Sequence, residues 1–221
     1  DDSYSKDNFN TDLDGDGAFI CQNSWGDNFG ENGFFYISYY DTNIGTHNVV
    51  YTDIENTDNY DHIYQSDLCG WVGQLGYNKD SIYGANVYTA EGNETLKAAS
   101  FYATGKDSQY ELYVVRQFED ETSLEKMIPV ASGKLGNAGY YTVDFNQGIE
   151  VDAGERYAVV LHIITPGSVH PMAIEYAADE ATENVDLDDG ESYISANGSK
   201  WVSVDTVEKS NLCIKAFSDN R

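Results

Sequence analysis

The chain has 221 residues, 41% of them hydrophobic and 14% aromatic, with 18 tyrosines and a formal net charge of -26. That describes a folded protein with an acidic surface, long enough for one large or two small domains, and it excludes duplex nucleic acid and anionic membrane surfaces as partners because both would be repelled. No stretch is long and apolar enough for membrane insertion, whereas cations, proteins and neutral polymers stay open as partners.

Residues 1 to 16 are polar without hydrophobic periodicity and read as a loop. Within the loop, Asp12-Leu13-Asp14-Gly15-Asp16-Gly17 matches the first half of a calcium loop of the Asp-x-Asp-x-Asp-Gly kind. The bidentate Glu of such a loop would fall at Asn23, and an apolar strand follows where a helix should. A solvated acidic turn is the simpler reading, with calcium as the alternative. Apolar runs Ala18-Cys21 and Phe34-Tyr39 read as strands flanking Gln22-Asn23-Ser24-Trp25-Gly26 and Gly30-Glu31-Asn32-Gly33, where the glycines suit a loop that needs positive φ.

Asn-Ser-Trp-Gly, a short loop, Gly-Glu-Asn-Gly and an aromatic strand together resemble the active-site asparagine segment of papain-like cysteine peptidases. In that family a Cys-His pair is oriented by an Asn, because an imidazole that activates a thiol needs its other ring nitrogen held by a fixed acceptor. The resemblance implies that Asn23 is this acceptor and that Trp25 shields its bond to the imidazole. Phe29 stands where the family usually has a second Trp. No His precedes Asn23, and no Cys lies far upstream of it. The resemblance therefore implies a C-terminal fragment, inactive alone, whose partner is the missing N-terminal peptidase segment; Asp1-Asp2 reads like the residues just after a His-bearing strand.

Between Tyr39 and Tyr60 the chain is rich in Asp, Asn and Gly around one apolar run, Val49-Val50-Tyr51. This reads as a domain exit, giving residues 1-57 as the catalytic-domain remnant and 58-221 as a second domain. His47 and His62, in polar surroundings, read as surface residues. Beyond the boundary, strand-like runs recur at Ile82-Thr89, Leu96-Ala103, Tyr110-Phe118, Tyr140-Phe145, Tyr157-Ile163, Met172-Tyr176, Glu191-Ser195 and Leu212-Phe217. Turn residues separate them, at Ala90-Asn93, Gly105-Ser108, Gly133-Gly139, Asp152-Gly154 and Asn197-Gly198. Short strands without helices predict an all-β fold: an antiparallel jelly-roll-like β-sandwich preceded by the last strands of a papain-like catalytic domain.

Ala85-Asn86-Val87-Tyr88, Glu94 to Tyr102, Tyr110 to Val114, and Glu191 to Ser195 with Trp201 resemble the lectin-like β-sandwich that follows the catalytic domain in cell-surface papain-like peptidases of anaerobic Gram-positive bacteria. What the resemblance implies is an extracellular or cell-surface location, a cell-surface protein or glycan as partner, and calcium as a cofactor. The acidic stretch 179 to 191, with Asp186, Asp188 and Asp189, is a calcium candidate or a solvated loop. Trp71 reads as core, Trp201 as core or sugar platform, and His162 as an inward, satisfied core residue. Three cysteines, Cys21, Cys69 and Cys213, are too dispersed for a zinc site and read as buried free thiols, with a Cys69-Cys213 disulfide as the alternative. The rival functional readings are a carbohydrate-binding module and a structural cell-wall spacer, both without peptidase function.

Overall fold

The computed structural model describes residues 1-45, 49-52 and 54-221, in two compact units, Asp1–Ile54 and Glu55–Arg221. The first unit is built on one hairpin in which β1 (Ala18–Gln22) pairs antiparallel with β2 (Phe34–Ser38). A single 3-10 turn, Lys6–Asn8, interrupts the expected N-terminal loop, with the Ser5 hydroxyl accepting from the Asp7 N–H. Tyr4 stacks on Tyr36 with ring centroids 4.1 Å apart. Ala18 and Ser38 are buried, but Phe19, Ile20 and Phe34 are exposed, as are Val49, Val50 and Tyr51. The hairpin thus presents apolar surface that the chain leaves uncovered.

The second unit carries β3 (His62–Tyr64), β4 (Gly73–Leu75), β5 (Ser81–Thr89), β6 (Glu94–Ala103), β7 (Ser108–Val115), β8 (Ile128–Leu135), β9 (Gly139–Val151), β10 (Arg156–Ile164), β11 (Met172–Glu175), β12 (Glu191–Ser195), β13 (Val202–Ser203), β14 (Asn211–Leu212) and β15 (Ile214–Asn220). Every pairing is antiparallel. A six-stranded sheet runs β13-β12-β5-β10-β7-β8, and a four-stranded sheet β3-β15-β6-β9 and a three-stranded sheet β14-β11-β4 complete the sandwich. No α-helix occurs among the described residues.

The strand period explains the layering. On β10, Tyr157, Val159, Leu161 and Ile163 enter the main core with Leu96, Phe101, Met172 and Ile214 from the other sheets. Ala158 and Val160 point the opposite way into a smaller cluster, covered by Phe118 and Leu124 of the β7–β8 connection. Being buried on both faces from Tyr157 to Leu161, β10 is apolar through that stretch, which is why it reads as an unbroken run there. Each fully buried large apolar side chain of this strand contributes roughly 1.5–3 kcal/mol of hydrophobic stabilisation.

Three differences from the sequence reading have local causes. β8 occupies part of a stretch expected as turn, and the turn shrinks to residues 136 to 138. Pro129 fits because β8 is an edge strand; Gly133 fits because a Cβ there would lie 2.7 Å from the Tyr110 hydroxyl oxygen. The run from Tyr110 ends at Val115 rather than Phe118, since Gln117 takes φ 50°. The terminal strand breaks at Cys213, whose N–H donates to Ala173 O at 3.1 Å.

Asn86 closes that break. Its Nδ2 donates to Leu212 O at 3.0 Å and Ile214 O at 2.8 Å, and its Oδ1 accepts from Ser192 Oγ at 2.8 Å. Truncation would take these partners from Leu212 O and the Ser192 hydroxyl and leave Ile214 O with the Tyr88 hydroxyl at 2.6 Å, at about 1–3 kcal/mol for each buried group left unpaired. Asn86→Ala should therefore lower unfolding free energy by about 3 kcal/mol in urea titration, whereas Lys97→Ala, which removes an exposed pair with Asp219, should change it by no more than about 0.5 kcal/mol.

Glu94 yields a pH prediction. Its side chain is fully buried and accepts from Tyr64 Oη at 2.8 Å, Ser218 Oγ at 2.6 Å and the Gly92 N–H at 2.8 Å. Burial pushes its carboxyl up, but the bonds from Ser218, Tyr64 and Gly92 outweigh burial and hold it below the ordinary value. A depressed folded-state value means stability present above the unfolded value, about 4.3, and lost as pH falls through the folded one. Glu94→Gln should lower the melting midpoint at neutral pH and flatten the acid limb of the midpoint-against-pH curve; a parallel downward shift at all pH values would contradict this.

Candidate functional site

Asn23 follows β1 directly, and its main-chain N–H donates to Gly33 O at 2.9 Å, closing the loop between the hairpin strands. Its side chain is half-buried and committed on one side: Nδ2 donates to Gly33 O at 2.7 Å and more weakly to Phe29 O at 3.5 Å. Oδ1 accepts from the Trp25 N–H at 2.6 Å. A carbonyl oxygen has two lone pairs, so one is left for a further donor. Both donor bonds of the nitrogen fix which end of the carboxamide is presented. The loop geometry depends on Gly30, at φ 63°, where a Cβ would meet Phe34 O at 2.1 Å. Trp25 stands 77% exposed, edge-on to Phe29 at 4.9 Å. An oriented carboxamide oxygen beside an uncovered indole can receive and shield an N–H donor supplied from elsewhere.

A second polar centre lies inside the sandwich. Asn211 Nδ2 has four oxygens within hydrogen-bonding distance: Ser66 O at 2.8 Å, Glu175 Oε2 at 2.9 Å, Asp186 O at 2.9 Å and Asp189 Oδ1 at 3.2 Å. An amide nitrogen has two hydrogens, so it directs good bonds at no more than two of them. Glu175 and Asp67 are buried. The ammonium of Lys215 pairs with Asp67 Oδ1 at 2.9 Å, and Asp67 Oδ2 is buried without a partner. Burial pushes the Asp67 carboxyl up against the opposing pull of Lys215, and burial likewise raises Asp189. Among the described residues no three His, Cys, Asp or Glu side chains converge as metal ligands; the set around Asn211 has two carboxylates and two main-chain carbonyls, the hard oxygen donors that suit Ca2+. Sequence reading singled out Asp186 and Asp189 but missed Ser66, Glu175 and Asn211. The available signal was a charged Glu175 inside the apolar run beginning at Met172.

The remaining candidates fall elsewhere. Asp12, Asp14 and Asp16 are exposed, and Asp16 Oδ1 accepts from the Lys6 N–H at 2.8 Å. Trp71, expected in the core, is 37% exposed and tilts against Tyr102 at 5.8 Å, because Gly70 at φ 73° turns the chain before β4 begins. Trp201 is half-buried, edge-on to Tyr83, with its indole N–H buried and unpartnered. His162 faces outward rather than into the main core, since the inward residues of β10 are the odd-numbered ones. His62 bonds Asn220 Oδ1 at 3.0 Å; His47 lies outside the described residues. All three cysteines are free, and only Cys213 is buried; Cys69, expected buried, is exposed because its turn runs along the surface.

Comparison with known proteins identifies relatives of the chain. The chain aligns over its whole length with the clostridial cysteine protease Cwp84 after propeptide cleavage, at 27% identity and a TM-score of 0.82, covering 56% of that chain. A second structure, of the cysteine protease and lectin-like domains of Cwp84, a surface layer associated protein of Clostridium difficile, aligns at 24% identity and a TM-score of 0.75, covering 50% of that chain. The chain thus spans about half the length of the solved structures it matches. No curated protein matches it. The lectin-like domain family matches residues 63–218, most of the second unit, and the chain belongs to that family.

Proposed function

We propose that the chain is the C-terminal portion of a secreted or cell-surface papain-like cysteine peptidase of a Gram-positive bacterium. Its lectin-like sandwich serves as an accessory module toward a cell-surface protein or glycan. The observation that carries the reading is the Asn23 loop: a carboxamide held by its nitrogen, with oxygen capacity left over, in a chain whose full length aligns with a cysteine protease structure. In this reading Asn23 Oδ1 accepts from an imidazole ring nitrogen, keeping the ring turned toward a cysteine thiol, and Trp25 excludes water from that bond. The Cys and His come from the N-terminal peptidase segment. The exposed apolar side chains of the hairpin support this, since they suit a sheet that continues in another segment.

The chain by itself should hydrolyse no peptide substrate. In the intact enzyme Asn23→Ala should lower kcat/KM by about 10- to 100-fold while lowering the melting midpoint by no more than about 5 °C, since it removes loop hydrogen bonds with Gly33 and Trp25 but no core packing. Unchanged kcat/KM in Asn23→Ala, or turnover by the chain alone that depends on Cys21, would contradict the reading.

Calcium belongs to the same proposal. The carbonyls of Ser66 and Asp186 and the carboxylates of Glu175 and Asp189, the four oxygens that Asn211 Nδ2 faces, would hold the ion once the Asn211 carboxamide turns its nitrogen away. The ion would balance carboxylates that Lys215 alone does not neutralise. At a free concentration a hundredfold above the dissociation constant the gain is about 2.7 kcal/mol. The melting midpoint should rise by several degrees in calcium relative to magnesium at equal ionic strength, and Glu175→Gln should abolish the difference. Equal midpoints in calcium, magnesium and chelator would remove the ion from the account.

A further inference from the structure

The outer face of the six-stranded sheet carries a group of side chains that neither the Asn23 loop nor the Asn211 centre uses. The strand registers set Tyr83, His162, Glu111 and Ser132 in one row across β5, β10, β7 and β8, and Ser81, Ile164, Gln109 and Lys134 in the next. An open cleft of 470 Å³ lies over the β10, β7 and β8 side of this region, with Glu111, His162, Gln109, Lys134 and Ile164 in its walls; Ser81, on β5, lies beside it and reaches it through His162.

The ring of His162 is fixed from three sides. Nε2 is 2.9 Å from Ser81 Oγ, and Nδ1 is 2.7 Å from Glu111 Oε2. Tyr113 Oη donates to the same Glu111 oxygen at 3.1 Å. The Tyr83 ring lies parallel to the imidazole with centroids 3.9 Å apart. A carboxylate only accepts, so in the neutral ring Nδ1 carries the hydrogen and Nε2 is left to accept from the serine hydroxyl. That is the tautomer a general base needs. The bond from His162 also holds the Glu111 carboxyl below its ordinary range, keeping it ionised.

We propose that Ser81, His162 and Glu111 form an acyl-transfer site that hydrolyses small O-acyl esters. Ser81 is the nucleophile, His162 the general base and Glu111 a positioning residue. Ser81 Oγ bonds to the ester carbonyl carbon as its proton passes to His162 Nε2. The carbon–oxygen bond to the alcohol then breaks, and the alcohol leaves with that proton. Water attacks the acyl-serine carbon, gives a proton to Nε2, and the ring returns it to Ser81 Oγ as the carboxylic acid departs. The apolar side chain of Ile164 lies between Ser81 and Gln109 in the row. With adjacent strands about 4.8 Å apart, Ile164 is the apolar neighbour against which a short acyl group on Ser81 would rest.

The test uses the full chain with a fluorophosphonate probe and p-nitrophenyl acetate. The probe should form an adduct on Ser81, identified by peptide mass spectrometry and absent in Ser81→Ala. His162→Gln should slow both labelling and ester hydrolysis by about a hundredfold. Glu111→Gln should slow them as well, and Glu111→Asp should recover part of the rate. Ser81→Ala changes a half-buried hydroxyl only, so thermal melting confirms that the comparison is between folded proteins. Absence of a Ser81 adduct in the unmodified chain, ester hydrolysis unchanged in Ser81→Ala, or labelling indifferent to His162→Gln would each overturn the proposal and leave the three residues as a hydrogen-bond network that pins the sheet face.

Discussion

The two layers of the sandwich are tied together where the last strand changes sheet. β14 pairs with β11 in the three-stranded sheet, β15 pairs with β6 in the four-stranded one, and Cys213 lies between them. A break there turns the carbonyls of Leu212 and Ile214 into the interior, where the Asn86 carboxamide, reaching from β5 of the opposite layer, donates to both and the Tyr88 hydroxyl donates to Ile214 O as well. Buried main-chain groups must be paired somewhere, so the break and Asn86 require each other. The break also sets the positions of the residues flanking it: Asn211 turns toward Glu175 and Ser66, and Lys215 toward Asp67. The polar centre of the domain is therefore a consequence of how the core closes.

Charge is placed in two regimes. Most of the acidic excess is solvated and costs little, and exposed pairs such as Lys209 with Asp188 at 2.8 Å add little. Buried carboxylates behave differently. Glu94 is satisfied by neutral donors from three directions. Asp67 has one cation and an orphaned oxygen, and Glu175 is held by the Cys69 N–H and by Asn211, the nitrogen that Asp189 also faces. An anionic cluster inside a protein of this net charge is where a cation stabilises most, because water does not screen it. The same reasoning makes the outer face around Glu111 distinct, since there the carboxylate has found an imidazole and a phenol.

Legibility in the sequence followed the range of the determining interaction. β10 is unmistakable because both its faces are buried from Tyr157 to Leu161 and each of those residues reports it. β8 carries Pro129 and Gly133 and sits at an edge, so its pairing with β7 rather than its own residues makes it a strand. Strands β3, β4, β13 and β14 are too short for periodicity to register. The Asn23 loop is local, and its residue types at their spacing suffice to suggest its chemistry. The Asn211 centre draws on residues 66, 175, 186, 189 and 211, which only the closed sandwich brings together. His162 shows how parity alone reassigns a residue: one step along β10 moves a side chain from the main core to the outer face.

The two units have different relations to their own surfaces. The sandwich closes its own core, whereas the hairpin leaves Phe19, Ile20 and Phe34 uncovered and holds Asn23 with an unused lone pair beside an exposed Trp25. The central claim is that this hairpin completes a cysteine peptidase site. The most direct measurement is the crystal structure of the encoded protein in full. The account predicts a histidine ring nitrogen within about 3.2 Å of Asn23 Oδ1, covered by the Trp25 indole, with a cysteine sulfur on the far side of the ring. An Asn23 carboxamide facing solvent, with no imidazole in reach, would contradict it.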